Sequence, residues 1–221
     1  MRQKKGRIVA AALGLMLAVF LTGCGRKVPE IGEVQEAGIY LTKEGKVTAF
    51  LVEKFDKEYY DEAELEDMIL AEIEDYNSQA KAGSLAENEK TLPVVLADIM
   101  SPEEKIAAGQ TGADTITVQF DYAGTEDYSA YNGKVLYLGT VAQAKVDGYP
   151  VQKDLTSVSD GITLTKMEAQ NLTEHYLLVL QESIPVHVPY EVLYVSSGVS
   201  VNENTVIFDG TDGGFAYVIM K

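Results

Sequence analysis

Apolar positions recur along this chain in two rhythms, and the change from one to the other predicts the architecture. Ile39-Tyr40-Leu41 and Val47 to Val52 flank Lys43-Glu44-Gly45, which predicts a hairpin with glycine at its turn. Beyond Tyr60 the period lengthens. Leu65, Met68, Ile69, Ile73, Tyr76 and Ala80 fall at helical spacing, Asp61 with Glu64 resembles a capping box, and Lys81 and Gly83 supply a stop. A helix is predicted over 61–82, its apolar stripe laid on a sheet.

Val94 to Met100 reads as a strand. Ser101-Pro102-Glu103-Glu104 then offers a cap, a proline at the first helical position and a glutamate at the third, so a short helix to Ala108 is expected. Thr115 to Tyr122 alternates cleanly, with Ile116, Val118, Phe120 and Tyr122 on one face. Short helices are expected at Thr125 to Asn132 and from Thr140 to near Gly148, with an apolar strand at Val135 to Leu138 between them. From Ile162 onward the pattern is nearly all strand: Tyr176 to Gln181, Val186 to Val188, Glu191 to Val195, Thr205 to Phe208 and Phe215 to Met220. An early long helix, late strands and few βαβ alternations predict an α+β fold, a mostly antiparallel sheet with one long amphipathic helix and a few short helices packed on it.

The amino-terminal pattern is of another kind. Arg2, Lys4, Lys5 and Arg7 precede an uncharged run from Ile8 to Leu21. That run is short of the roughly 20 apolar residues a membrane-spanning helix needs, and it fits a secretory signal. It ends in Leu21-Thr22-Gly23-Cys24, which resembles the bacterial lipobox. The resemblance implies that Cys24 receives a diacylglycerol and that residues 1–23 are cut away as a signal peptide. Cys24 is the single cysteine, so no internal disulfide is expected even after export. Glycines and basic residues around it offer neither a core pattern nor a partner that would activate a nucleophile.

Residues 24–37 contain a proline and two glycines past the cysteine and read as a tether, reaching about 20 Å as a flexible chain and at most roughly 45 Å extended. Residues 38–221 then form a single extracytoplasmic domain. Removal of residues 1–23 leaves 14 basic against 34 acidic side chains, a net charge of −20. Nucleic acid and anionic headgroups both repel such a surface. Attachment to the membrane rests on the lipid at Cys24, for which two acyl chains suffice.

Three longer stretches, "FDKEYYDEAELEDMILAEIEDYN", "DYAGTEDYSAYNGKVLYLGTVAQA" and "YVSSGVSVNENTVIFDGTDGGFAYVIMK", resemble small uncharacterised lipoproteins of clostridia and related Gram-positive bacteria. The resemblance covers most of the chain after Cys24 and fits least well over 84–114, which reads as an insertion. It implies a place on the outer face of the cytoplasmic membrane and carries over no residue role beyond the lipobox Cys24.

Motifs for chemistry are sparse. His175 and His187 belong to no zinc-binding spacing. Ser78-Gln79-Ala80-Lys81 matches the S-x-x-K of penicillin-recognising enzymes, but it ends an acidic helix and lacks a Lys-Thr-Gly partner. Asp209 to Gly214 departs from a calcium loop at its third and fifth positions and reads as a hairpin turn. Asn171-Leu172-Thr173 fits a glycosylation sequon, which carries little weight beside a bacterial lipobox. No catalytic residue, cofactor or metal is assigned. The expected function is a non-enzymatic binding domain for an envelope component or a protein; the alternative is a secreted hydrolase of cell-wall or peptide substrates working through carboxylates.

Replacing Cys24 by Ala is expected to move the protein from the membrane fraction to the medium, or to leave the uncleaved precursor. Fractionation of cells with intact-mass measurement checks this, and normal retention of the variant would contradict it.

Overall fold

The computed structural model describes residues 27–83, 92–210 and 214–221. Among these it forms thirteen strands and five α-helices. A 3-10 turn at Ile31–Glu33 precedes β1 (Gly38–Leu41), β2 (Val47–Lys54), α1 (Glu62–Gly83), β3 (Val94–Met100), α2 (Pro102–Ala107) and β4 (Thr115–Tyr122). Then follow α3 (Thr125–Asn132), β5 (Leu136–Thr140), α4 (Val141–Val146), β6 (Leu155–Ser157), β7 (Thr163–Leu164) and α5 (Lys166–Gln170). The chain ends with β8 (Tyr176–Leu180), β9 (Val186–His187), β10 (Val192–Val195), β11 (Val199–Asn202), β12 (Thr205–Phe208) and β13 (Ala216–Met220).

The strands make two sheets, where the pattern of residues predicted one. The first has the order β11-β12-β9-β1-β2-β4-β3 and the second β5-β8-β13-β10-β6-β7. Pairing is antiparallel throughout except between β1 and β9. Late strands alternate between the sheets, which no local pattern reveals: β9, β11 and β12 join the first, β8, β10 and β13 the second. The loop from β12 to β13 therefore crosses from sheet to sheet and is not the hairpin turn expected at Asp209 to Gly214, of which residues 211–213 lie outside the described residues.

One core lies between the sheets. Ile39, Val47, Val186, Val206 and Phe208 from the first meet Leu178, Leu180, Val218 and Met220 from the second. The opposite face of the second sheet buries Leu177, Val179, Tyr217 and Ile219 against Val141 and Ala144 of α4, Val151 of the loop that follows it, Leu155 of β6 and Ala169 of α5. All five residues of β13 are consequently buried. A strand covered on both faces needs an unbroken apolar run, and "AYVIM" is one.

Local chemistry sets the short helices. Ser101 and Glu104 form the expected capping box on α2. Thr140 Oγ1 accepts the Gln143 N–H at 3.1 Å to start α4. α5 stands where only strand was expected, and its signal is the Thr165…Glu168 capping box. α3 stops at Gly133, whose φ of 63° a residue with a Cβ rarely adopts.

The residues before β1 are not all free tether. Val34 is buried, and Gln110 Nε2 donates to the Gly32 carbonyl at 2.7 Å. The stretch from Ile31 therefore docks on the outer face of β3 and β4.

α1 covers less than its stripe promised. Ile73 is 6% exposed and Asn77 is buried beside it, yet Met68 is 63% exposed and Leu65 and Ile69 are only half-buried. The reason is the way the helix is held. Asn77 Nδ2 donates to the Val94 carbonyl at 2.8 Å, and the Val94 N–H donates to Asn77 Oδ1 at 3.1 Å. Tyr76 adds a hydroxyl bond to the Asp127 carbonyl at 3.4 Å and an edge contact with the Tyr131 ring. All of these lie in the carboxyl-terminal half, so the amino-terminal half stands away from the sheet. Among the described residues no helix is long and apolar enough to cross a membrane.

Ile73→Ala is expected to cost about 2–5 kcal/mol. Asn77→Ala, which strands a buried N–H and carbonyl, is expected to cost about 1–3 kcal/mol. Met68→Ala should stay within about 0.5 kcal/mol. Denaturant titration of the three variants checks the order, which reverses if the stripe is uniformly core.

Candidate functional site: a tyrosine-lined groove under the long helix

The gap beneath the raised half of α1 is a groove of about 660 Å³. Strand register builds its floor. Val47, Ala49, Leu51 and Glu53 of β2 pair with Tyr122, Phe120, Val118 and Ile116 of β4, so these side chains share the inner face of the first sheet. Beside Val47 and Tyr122 that face is closed over by the core. From Ala49 and Phe120 outward it borders the groove beneath Leu65, Met68 and Ile69, with Val118 and Ile116 of β4 still buried. Leu51 is left 45% exposed.

Each end of the groove has its own aromatic cluster. At the mouth, Phe55 stacks on Tyr60 with centroids 5.0 Å apart, and Tyr59 meets Tyr60 edge-on. Tyr59 is 76% exposed. At the inner end, Tyr122 packs against Tyr128 and Tyr131, and Tyr131 against Phe120 and Tyr76. Tyr128 and Tyr131 sit three apart on α3 and so present one face. The Tyr128 hydroxyl donates to Glu182 Oε1 at 2.9 Å, and Asn132 Nδ2 donates to the Tyr122 hydroxyl at 3.2 Å.

Burial raises the hydroxyl pKa of Tyr122, Tyr128 and Tyr76. It pushes Tyr131 up to about 12, with the charge of Glu72 adding to the effect. The carboxylates of Glu53, Asp61, Glu64, Glu72 and Glu182 line the groove together with one lysine, Lys54, which reaches Asp114 at 3.7 Å. Carboxylates held below their ordinary range are found elsewhere: Glu44 by backbone and Thr42 hydrogen bonds, Asp56 by Lys57, Asp160 by Ser157 and Glu168 by Thr165. All four lie at the surface and none lines the groove.

Two smaller hollows are more polar. In one, of about 540 Å³, Tyr137 and Tyr149 pack at 4.8 Å, and Tyr137 and Gln143 both donate to Asp147. The Tyr137 ring lies across Gly139, where a Cβ would collide with it. In the other, of about 430 Å³, Lys105 is 2% exposed and donates to Thr115 Oγ1 at 2.9 Å. Burial lowers its pKa, and Asp114 partly restores it.

The candidate residues read from the sequence do not meet in this groove. Cys24 lies outside the described residues. His187 stacks on Tyr40 at 4.1 Å and its Nδ1 is 3.0 Å from Thr205 Oγ1, on the outer face of the first sheet. His175 is half-buried before β8, its carbonyl accepting the Val141 N–H at 2.9 Å. Ser78 donates to the Asp75 carbonyl at 2.8 Å within its own helix. Among the described residues no group of three His, Cys, Asp or Glu side chains could hold a metal ion. The aromatic groove went unread in the sequence. Its available signals were thirteen tyrosines without a tryptophan, and aromatic residues at alternate positions of β4 followed by Tyr128 and Tyr131. No family model, no curated protein and no solved structure matches the chain.

A raised tyrosine pKa means that the neutral hydroxyl is preferred in the folded protein. This contribution to stability is complete below the ordinary value near 10 and is lost as the pH rises through about 12. Stability should therefore fall between pH 10 and 12. Tyrosinate absorbance should grow late, together with loss of the fold. Full titration of every tyrosine near pH 10 in the folded protein would contradict the burial described.

Proposed function

We propose that the chain is a lipid-anchored binding domain on the outer face of the cytoplasmic membrane, held there through Cys24, with the groove as its binding surface. The observation that carries this reading is a groove in which Leu51, Tyr59 and Met68 are exposed together beside the half-buried Phe120. Large side chains exposed together in one concavity favour contact with an apolar part of another molecule. In this reading α1 is the long amphipathic helix of the fold, and its apolar residues serve a ligand as well as the sheet. The occupant is an envelope component or a protein segment that offers apolar surface. Tyr59, Tyr60 and Met68 at the mouth would meet it first.

A photo-reactive amino acid at Met68 should crosslink to a partner in intact cells. The same substitution at Val146, 80% exposed on α4, should not. Intact-mass measurement of the purified adducts distinguishes a small molecule from a protein. Equal yields from the two sites would remove the groove from consideration.

A further inference from the structure

Resting on the groove as the binding surface, we propose that its occupant is a small organic cation: an apolar body carrying one ammonium group. Volume, lining and charge each contribute. About 660 Å³ falls within the range of small-molecule sites. Exposed Leu51 and Met68 with the half-buried Phe120 suit an aliphatic or aryl body. At the inner end Tyr131 stands with Glu72 and Glu182 in the same lining. Glu72 acts on Tyr131 and Glu182 accepts the Tyr128 hydroxyl, and tyrosine rings with carboxylates nearby attract an ammonium group through the ring quadrupole and through charge pairing.

Electrostatics excludes the opposite choice. Among the described residues lining the groove Lys54 is the only basic one, and it reaches Asp114. An anionic head would meet five carboxylates with little to offset them. A neutral ligand could use the floor but would leave Glu72 and Glu182 without a gain from its presence. The Tyr128 hydroxyl that donates to Glu182 fixes that carboxylate at the inner end before any ligand arrives, so little ordering is needed on binding.

Three probes share one body: 4-phenylbutylammonium, 4-phenylbutanol and 4-phenylbutyrate. Titration calorimetry of the soluble domain at fixed ionic strength should give one site. The cation should bind about tenfold tighter than the alcohol, as a desolvated cation–π contact with charge pairing implies, and the carboxylate weakest. E72Q/E182Q should remove that advantage and leave alcohol binding unchanged. E66Q/E74Q alters the net charge equally at exposed positions outside the groove lining and should change cation affinity less than twofold. E72Q alone, at an exposed position, serves if the double variant fails to fold. Equal affinity for cation and alcohol, or equal losses in the two double variants, overturns the cation assignment and leaves an apolar groove. Absence of a single site for all three probes removes the groove as the binding surface as well.

Discussion

The pair of hydrogen bonds between Asn77 and Val94 decides how the first sheet meets its helix. β3 is an edge strand, and an edge presents unpaired backbone groups. The Asn77 amide supplies one donor and one acceptor to the N–H and carbonyl of Val94, as a neighbouring strand would. Both groups are buried, so leaving either without a partner would cost more than the bond itself contributes. That requirement fixes the height and rotation of α1 at its carboxyl-terminal half. Ile73, one turn earlier, follows into the core. The Asp61 cap, which accepts the Glu64 N–H at 3.0 Å, stabilises the helix start without pressing it to the sheet.

Rigidity of the floor has a separate source. β8 and β13 are buried on both faces, between the core shared by the two sheets and the layer of α4 and α5. Each fully buried aliphatic side chain there contributes about 1.5–3 kcal/mol relative to exposure. The first sheet is thus held along β1, β9 and β12, while β2 and β4 extend past the cover of the second sheet. A long β2–β4 pairing, Val47 to Lys54 against Tyr122 to Thr115, carries the inner face past that cover to Leu51, which is exposed. The ion pairs seen among the described residues are exposed, and exposed pairs contribute little.

The pattern of residues made the elements legible and left their assembly obscure. β3, β4 and α3 run over the spans that periodicity predicts, and the Ser101 capping box is formed, because both depend on neighbours in sequence. The division into two sheets depends on which late strand joins which partner, information held in contacts between β1 and β9 or β8 and β13 that no window of residues contains. α5 could have been read from Thr165 and Glu168; a strand-rich surrounding obscured it. The stripe on α1 was read as core because spacing shows only that residues share a face. Whether that face is covered depends on Asn77, a polar residue within the stripe, whose buried amide holds one end down. Apart from the Asp61–Glu64 cap, no motif marks the groove, since an aromatic floor is made by register between distant strands.

An open apolar floor could be a packing defect, and energetics weighs against that. Exposed apolar surface forgoes about 25 cal/mol for every Å² that a closer helix would bury. Leu51, Met68 and Tyr59 are exposed together within reach of one another, so a modest tilt of α1 would recover much of that. The residues of α1 that oppose the tilt are polar or aromatic with specific partners: Asn77 on Val94, and Tyr76 on Asp127 and Tyr131. Each could be replaced by an aliphatic residue that would let the helix settle. Together they hold it off. The strong negative charge opposes contact between the exposed apolar surface of one molecule and that of another. The contacts that hold α1 at its carboxyl-terminal half thus also set the width of the charged, aromatic hollow beneath its amino-terminal half.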